Sequence, residues 1–502
     1  MTQRMALSGT TAILLALANT AFADVTGADV WNNWKSIAQG TGQTFTPGSE
    51  VQSGDTLTIS DLQIGMVTPE ISISGNIGDI TFVDQADGSV VMTMSPSYTM
   101  AVTSADGADD VEAVLTVAQP DISMTASGGD GTVSYDFTAP SISMSVTSLV
   151  IDGEPVEIVA GLSMTDAVGS YVITEGDIPM MDSGMTVAKM LVSLDMNEPE
   201  GGEGKVVASF DFTDVAIESV GSLMYAAEPE EMMALFAAGA STAVNMSHGA
   251  HVFSIDFKDR RDAFAASGTA ETGLLEVGVS NDAISYAVGN TGLDFTMSGS
   301  EIPLPEIAAS MGEIGFSLLV PASASEEPKD YALNITLADL SVSDMIWGMI
   351  DPAVQLPRTP ATFIIDAVGT ASLLFDLFNP ESMMEVDSEM PAELHSLDIN
   401  QIVLAIAGAE LTGNGGFTFD NSDLETFDGM PAPTGALDLK LVGANALIDK
   451  LVAMGLLPED QAMMGRMMMG MFARPEGEDT LTSKIEINGA EGSISANGQR
   501  IQ

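Results

Sequence analysis

Between Leu57 and Met297 the chain alternates apolar and polar residues over many short segments. The residues between the apolar positions are mainly Ser, Thr, Asp and Gln, so each segment has one apolar and one polar side. A period of two residues is typical of antiparallel strands that have one face in water. The clearest runs on one side are Val111, Ala113, Leu115 and Val117, then Val133, Tyr135 and Phe137, and then Ile142, Met144 and Val146.

Turn signals separate these segments. Three Asp-Gly pairs lie between alternating runs, which predicts tight hairpin turns. Within residues 56–66 the alternation changes phase between Asp61 and Leu62, which predicts a β-bulge. The Asp-Gly pairs are Asp87-Gly88, Asp130-Gly131 and Asp152-Gly153.

The alternating region also contains an internal repeat, with a weaker third copy that begins at Gly161. Hairpin units that cannot each bury a core are expected to stack and share one, which predicts an elongated curved sheet or groove. The repeated segments begin at Asp79, Asp87 and Thr99 and recur 42 to 44 residues later at Asp121, Asp130 and Ser143.

Helical periodicity is confined to a few amphipathic segments, of which the last two predict a C-terminal helical hairpin. Strands resume after that hairpin around Leu481, Ile485 and Ile494. The predicted helices are Ala28–Gln39, a segment that begins at Pro229, Asp344–Ile350 after an N-cap at Ser343, Ala444–Met454, and Pro458 to about Ala473.

Together these patterns predict a mainly β fold, a β-rich α+β protein. We expect an elongated curved antiparallel sheet of repeated hairpins, a few amphipathic helices and a C-terminal helical hairpin. The small and acidic residues of Pro321–Pro328 mark a soft boundary. We therefore expect a repeat-bearing β region with an N-terminal helix at residues 24–320, and an α+β region at residues 329–502.

The first 23 residues have the pattern of a secretory signal peptide. Arg4 provides the positive charge, Ala12–Ala18 the short apolar segment and Ala21-Phe22-Ala23 the cleavage site. The apolar segment is shorter than the about 18 residues that a membrane span needs, and a chain without cysteine cannot carry a lipid on that residue. We expect cleavage after Ala23, no transmembrane anchor and a soluble periplasmic protein.

The chain is strongly acidic, with 71 Asp and Glu, 15 Lys and Arg and a formal net charge of −56. This balance excludes nucleic acid as a partner, because phosphate binding needs clustered basic residues. Scattered acids favour a solvated coat, and the alternative is attraction of cations or of a basic protein partner. With 45% hydrophobic residues the chain is expected to fold, and with no cysteine it does so without disulfides.

Motifs of known catalytic chemistry are absent from the sequence. There is no Gly-x-Ser-x-Gly, no Ser-x-x-Lys, no phosphate-binding glycine loop and no cysteine, and there are only three histidines. Pairs of carboxylates are unspecific among 71 acidic residues. We therefore expect a protein that is not an enzyme and that uses no cofactor.

Candidate metal ligands are few. His248 and His251 are three residues apart at the entrance of a strand, where we expect them on opposite faces, and without a third ligand a metal site is disfavoured. His395 is isolated and is interpreted as structural. The acidic segment Asp420–Asp423 lacks the spacing of a calcium loop and fits a turn between strands better.

A methionine cluster lies on the second helix of the predicted terminal hairpin. Core packing is the favoured interpretation, an apolar ligand or partner surface is the second, and a site for Cu(I) is the third, because thioethers bind soft metals. The candidate ligand-surface residues are Met464, Met468 and Met471, which form one stripe, and Met463 and Met467 beside it.

Several long segments carry a resemblance to a known family. They are DVWNNW near residue 30, DLSVSDMIWGMIDPAVQLPRTPATFIIDAVG from Asp339 to Gly369, AELHSLDI, AGAELTGNGGFTFDNSDLETFDGMPAPTG and LIDKLVAMGLLPEDQAMMGRMMMGMFARP. The chain resembles an alphaproteobacterial family of exported proteins classed as a domain of unknown function. The segment Leu411–Leu441 with its following helix is more loosely similar to AsmA-like envelope proteins, whose curved sheets form lipid-handling grooves. These resemblances imply a periplasmic setting and an extended β architecture.

We therefore expect a non-enzymatic envelope protein that binds an apolar or lipid-like ligand along its sheet. The alternative is a structural or protein-interaction module that uses its acidic surface, and a further alternative is a hydrolase whose carboxylates meet in a closed pocket.

Overall fold

The structure is a computed structural model that describes residues 24–68, 71–104, 110–129, 131–198, 202–223, 229–379 and 392–501. The predicted signal peptide and Asp130 lie outside the described residues. Within them, 28 strands form one antiparallel sheet, so the mainly β prediction is confirmed. None of the described helices is long and apolar enough to cross a bilayer.

Most strands of the sheet pair with a strand that is adjacent in sequence, and several also pair with a strand two or three further along the chain. The first nine strands are β1 (Gln43–Thr46), β2 (Ser49–Ser53), β3 (Thr56–Val67), β4 (Ile71–Asp84), β5 (Val90–Met94), β6 (Ser97–Ser104), β7 (Val111–Ala118), β8 (Ser123–Gly129) and β9 (Thr132–Ile151). The next nine are β10 (Glu154–Pro155), β11 (Ile158–Thr174), β12 (Met180–Asn197), β13 (Lys205–Ser222), β14 (Ser241–His248), β15 (His251–Lys258), β16 (Ala263–Ala270), β17 (Thr272–Ser280) and β18 (Ala283–Gly299). The last ten are β19 (Ile307–Pro321), β20 (Lys329–Val342), β21 (Ala361–Leu373), β22 (Ala392–Ile406), β23 (Ala409–Asp420), β24 (Ala432–Val442), β25 (Arg474–Gly477), β26 (Thr480–Asn488), β27 (Ser493–Ala496) and β28 (Gln499–Arg500).

Helices occupy the ends of the described chain and a few connections. They are α1 (Gly27–Gly40), α2 (Pro229–Ala237), α3 (Asp344–Ile350), α4 (Ala444–Ala453) and α5 (Glu459–Phe472), with one 3₁₀ turn at Gly489–Glu491. The predicted helical segments are all confirmed to within a few residues. Ser343 is the N-cap residue of α3, but its side chain makes no capping hydrogen bond.

The predicted turns follow from residues that accept a left-handed backbone. Gly88 and Gly153 have φ of +83° and +79°, and each lies in a hairpin turn. The two repeat copies form equivalent hairpins, β4 with β5 and β6, and β8 with β9.

Bulges interrupt the long strands. The predicted one is confirmed at Asp61, which has φ of +49° between the registered residues Ile59 and Leu62. Asp166 and Asp214, with φ of +51° and +50°, lie at one level of the sheet because both are opposite Ala188. The strand register runs through both positions without an extra residue, so they are left-handed kinks rather than bulges, and they define a crease across the sheet.

The described sheet continues through the predicted boundary at Pro321–Pro328. Strands β19 and β20 form a hairpin across it, with Ala309 opposite Val342 and Leu319 opposite Ala332. Independent folding of the two regions stays a prediction.

The best-filled core lies under α1, at the N-terminal end of the sheet. Thr26 and Asp29 form a capping box that fixes the start of this helix. Trp31 is 1% exposed and stacks on Phe45 with ring centroids 6.0 Å apart, and Trp34 meets the edge of Phe82 at 5.6 Å. These aromatic contacts cover the apolar side chains of β3 and β4.

Candidate functional site

One face of the sheet carries apolar side chains across many strands, because the register aligns them. Opposite residues of an antiparallel pair lie on the same face. Nine such residues form what we call the long apolar row, from β12 to β22, which at about 4.8 Å per strand spans about 38 Å. The row is Met185, Ile217, Met246, Leu275, Val288, Phe316, Ile335, Ile365 and Ile402.

A second row lies two residues away on the same face, and we call the surface of both rows the apolar face. The second row begins at the buried residues Ala139, Ala167, Val187 and Val215. It resumes further along the sheet as Ile314, Leu337, Phe363, Leu404, Leu411, Leu441 and Leu481.

The opposite face of the sheet is polar. Lysines pair there with aspartates of the same or a neighbouring strand, at positions that alternate with the apolar residues. These ion pairs are Lys189 with Asp211 at 2.7 Å, Lys205 with Asp195 at 2.8 Å and Lys258 with Asp256 at 2.9 Å. The sheet therefore has one charged and one apolar side, as the alternating pattern predicts.

The apolar face is open beyond the core under α1. Among the described residues after Val215, the buried apolar positions are alanines except for Leu356 and Leu373. Large side chains of the apolar face stay accessible, with Phe316 37%, Tyr286 39% and Leu404 47% exposed. The residues of the two rows after Val215 are partly exposed rather than buried, so this part of the apolar face is a surface rather than a core.

Two polar side chains and a glycine between them interrupt the second row at three successive strands. His248 on β14 is opposite Gly273 on β17, and Gly273 is opposite Asn290 on β18. A Cβ at Gly273 would lie against the imidazole of His248 and 2.6 Å from Asn290 Oδ1. The missing side chain at Gly273 is therefore what makes room for the two polar groups.

The prediction that His248 and His251 lie on opposite faces is wrong. Their rings meet edge to face with centroids 4.9 Å apart, and both contact Phe212 on the apolar face. The reason is a bulge: Gly249 donates to Thr213 O and Thr213 donates to Ala250 O, which inserts extra residues between the two histidines. Burial, and secondarily His248, lower the pKa of His251.

The other sequence candidates do not approach this pair. His395 Nε2 is 2.9 Å from Ser372 Oγ, consistent with a structural role. Asp420 and Asp423 accept hydrogen bonds from the residues that follow them, which is the geometry of a turn. In the part of the chain that is described, no three His, Asp or Glu side chains are placed to hold a metal ion.

The methionines of α5 face solvent. The core-packing interpretation is therefore wrong for all five of them, while a ligand or partner surface stays a prediction. The packed side of the helix is instead formed by Ala462, Met469 and Phe472. The exposed side chains are Met463, Met464, Met467, Met468 and Met471, at 53% to 71% exposure.

Sequence reasoning missed Gly273 and Asn290. No local pattern distinguishes them, because only the strand register brings them beside His248. A signal was present in the composition: two of the three histidines of the chain lie within four residues of each other.

Comparisons with known proteins cover the C-terminal half of the chain. No curated protein is significantly similar to it. Residues 253–501, from β15 to the last strand, match the sequence profile of a family described as an uncharacterized protein conserved in bacteria (DUF2125), a domain of unknown function.

Proposed function

We propose that this protein binds an apolar, lipid-like ligand along the apolar face of its sheet, and that it does so in the bacterial periplasm without catalysing a reaction. The single observation that carries the proposal is the long apolar row, whose side chains on nine strands are only partly buried, with Phe316 37% exposed. A soluble protein rarely leaves so extended an apolar surface uncovered unless something binds to it.

The dimensions of the row support an acyl chain as the ligand. One leaflet of a bilayer contains about 15 Å of hydrocarbon, half of the about 30 Å core. The row of about 38 Å could hold more than one such chain end to end. Covering about 300 Å² of apolar surface would contribute about 7 kcal/mol, before the costs of ordering the ligand.

The periplasmic setting is supported by the signal-peptide pattern of residues 1–23. The acidic polar face would keep a protein with an open apolar face in solution.

The proposal is tested with a matched pair of variants on β19. Phe316 lies in the long apolar row and Ser317 is its neighbour on the opposite face. Phe316→Glu places a charge on the apolar face and should abolish lipid co-purification, measured by organic extraction and mass spectrometry. Ser317→Glu adds the same charge to the polar face and should leave co-purification unchanged. Absence of lipid from the wild-type protein would contradict the proposal.

The net charge of −56 favours a second candidate, a module that binds a basic protein through its acidic surface. Such a partner should be captured at low salt and lost at high salt, because salt screens interactions between exposed charges. Capture that is insensitive to salt would exclude this mode of binding.

A further inference from the structure

The polar interruption of the apolar face contains two buried atoms that lack a partner. Among the described residues, neither His251 Nδ1 nor Asn290 Oδ1 has a hydrogen-bond partner, although both atoms are buried. Buried polar atoms in native proteins are nearly always paired, so an unpaired one calls for an explanation such as a ligand. Asn290 Oδ1 lies beside Gly273 and the His248 ring, and that ring contacts His251, so the two unpaired atoms belong to one polar patch where a polar group can bind.

The chemistry of these atoms specifies the group. An amide oxygen such as Asn290 Oδ1 only accepts hydrogen bonds, and it therefore needs a donor. His251 Nδ1 also accepts when the ring proton is on Nε2. His248 Nδ1 already lies 2.8 Å from Gly249 O, so this atom is less available to a ligand than His251 Nδ1 is.

Charge argues against an anionic group at this position. The lowered pKa of His251, caused first by burial and then by His248, leaves its ring neutral at neutral pH. No lysine or arginine takes part in the contacts of the two histidines with Phe212 and Gly273. The net charge of −56 adds a field that repels anions.

We infer that His251 and Asn290 bind the polar group of the lipid-like ligand, and that this group is a hydrogen-bond donor, a hydroxyl or an amine. The inference rests on the proposed function, because the apolar part of the same ligand would lie along the long apolar row. Val288, two residues before Asn290 on the same face of β18, belongs to that row, so one ligand molecule can contact both residues.

Two esters of the same fatty acid, one with donor groups in its headgroup and one without, test the inference. Monoolein carries two hydroxyls, and methyl oleate has the same acyl chain and no donor. Each would be titrated against the full-length mature protein that holds N-phenyl-1-naphthylamine, with displacement followed by fluorescence. Monoolein should bind about three- to tenfold more tightly than methyl oleate, the range expected for one or two hydrogen bonds. Oleylamine, titrated in the same way, shows whether the site prefers an amine or a hydroxyl as the hydrogen-bond donor.

The variant Asn290→Leu should remove this preference while retaining binding of methyl oleate. Asn245→Leu, on the polar face of β14, is the matched control and should leave the preference intact. His251→Phe provides a second variant, which keeps an aromatic ring against Phe212 and removes the acceptor nitrogen.

The outcomes separate the two proposals. Equal binding of monoolein and methyl oleate by the wild-type protein, or an unchanged preference in both variants, would overturn the donor site and leave the apolar face as a binding surface. Failure of every ligand to displace the probe would instead contradict the proposed function.

Discussion

The phenol of Tyr135 donates a hydrogen bond of 2.7 Å to Asn33 Oδ1, which joins α1 to β9 across 102 positions of the chain. Tyr135 is fully buried and Asn33 is 7% exposed. The variant Tyr135→Phe should therefore lower the free energy of unfolding by about 1–3 kcal/mol, because it leaves the Asn33 amide buried and unpaired. Chemical denaturation measures this loss. Tyr286→Phe, at a side chain 39% exposed, is the control and should change stability little.

The core under α1 is filled and the apolar face is open, and this contrast gives a second prediction, about stability. Phe82 is 0% exposed under α1, whereas Phe316 is 37% exposed on the apolar face. Truncation of Phe82 to alanine should cost about 3–5 kcal/mol, because it creates a cavity. Truncation of Phe316 to alanine should cost less than about 2 kcal/mol, because that side chain is only partly removed from water. Similar losses for the two variants, again by denaturation, would mean that the face near Phe316 is a packed core.

The crease provides a third prediction. Asp166 has φ of +51°, a conformation that glycine accepts and a β-branched residue resists. Asp166→Gly should change the free energy of unfolding by less than about 1 kcal/mol, whereas Asp166→Val should destabilise by about 1–3 kcal/mol. Asp182→Val, at an exposed position of regular strand on β12, serves as the control for the loss of an aspartate. A tolerated Asp166→Val would argue against the left-handed backbone conformation at this position.

Asp351 gives a prediction about pH. Its carboxylate is 0% exposed and accepts hydrogen bonds from Gln355 N at 2.9 Å and Leu356 N at 2.8 Å. Burial by itself would raise the pKa of this carboxyl, but these backbone N–H groups and Arg358 together lower it.

A carboxyl whose pKa is lower in the folded state stabilises the protein above its unfolded pKa, near 3.9, and this contribution is lost as the pH falls through the folded value. Thermal unfolding of the wild-type protein should therefore become easier below about pH 4. Asp351→Asn should be less stable at pH 7 and should show a flatter dependence of Tm on pH in the acid range. If the curves of Tm against pH are parallel for the wild-type protein and this variant, Asp351 is not a cause of the destabilisation in acid.

The five exposed methionines of α5 give a prediction about oxidation. Mild peroxide should convert Met463, Met467 and Met471 to sulfoxides before Met92, which is 2% exposed in the core under α1. Peptide mass spectrometry gives the rate at each site. Oxidation of α5 should leave Tm nearly unchanged, because these side chains support no core. Faster oxidation of Met92 would contradict the assigned exposure.

The fold could be predicted from the sequence wherever the relevant signal is local. Alternation at Val133, Tyr135 and Phe137, the glycine at 88 and the phase change at Asp61 each depend on a few neighbouring residues, and all three correspond to observed elements. The helices were predictable for the same reason.

The site depends on relationships that local patterns do not contain. His251 is three positions after His248, so regular strand geometry places the two side chains on opposite faces, and only the bulge opposite Thr213 returns both to one face. The pairing of Gly273 with Asn290 is a matter of register between β17 and β18. For α5, the periodicity finds an apolar stripe but does not tell which side of the helix is packed, and the methionines lie on its exposed side.

The strand order has a consequence for how the sheet can be extended. A strand of the sheet interior pairs only with the strands on its two sides, so insertion of a further hairpin adds two strands and leaves the other pairs unchanged. Each such insertion would widen the sheet by about 10 Å, two strand spacings. The extent of the apolar face can therefore evolve independently of the core under α1.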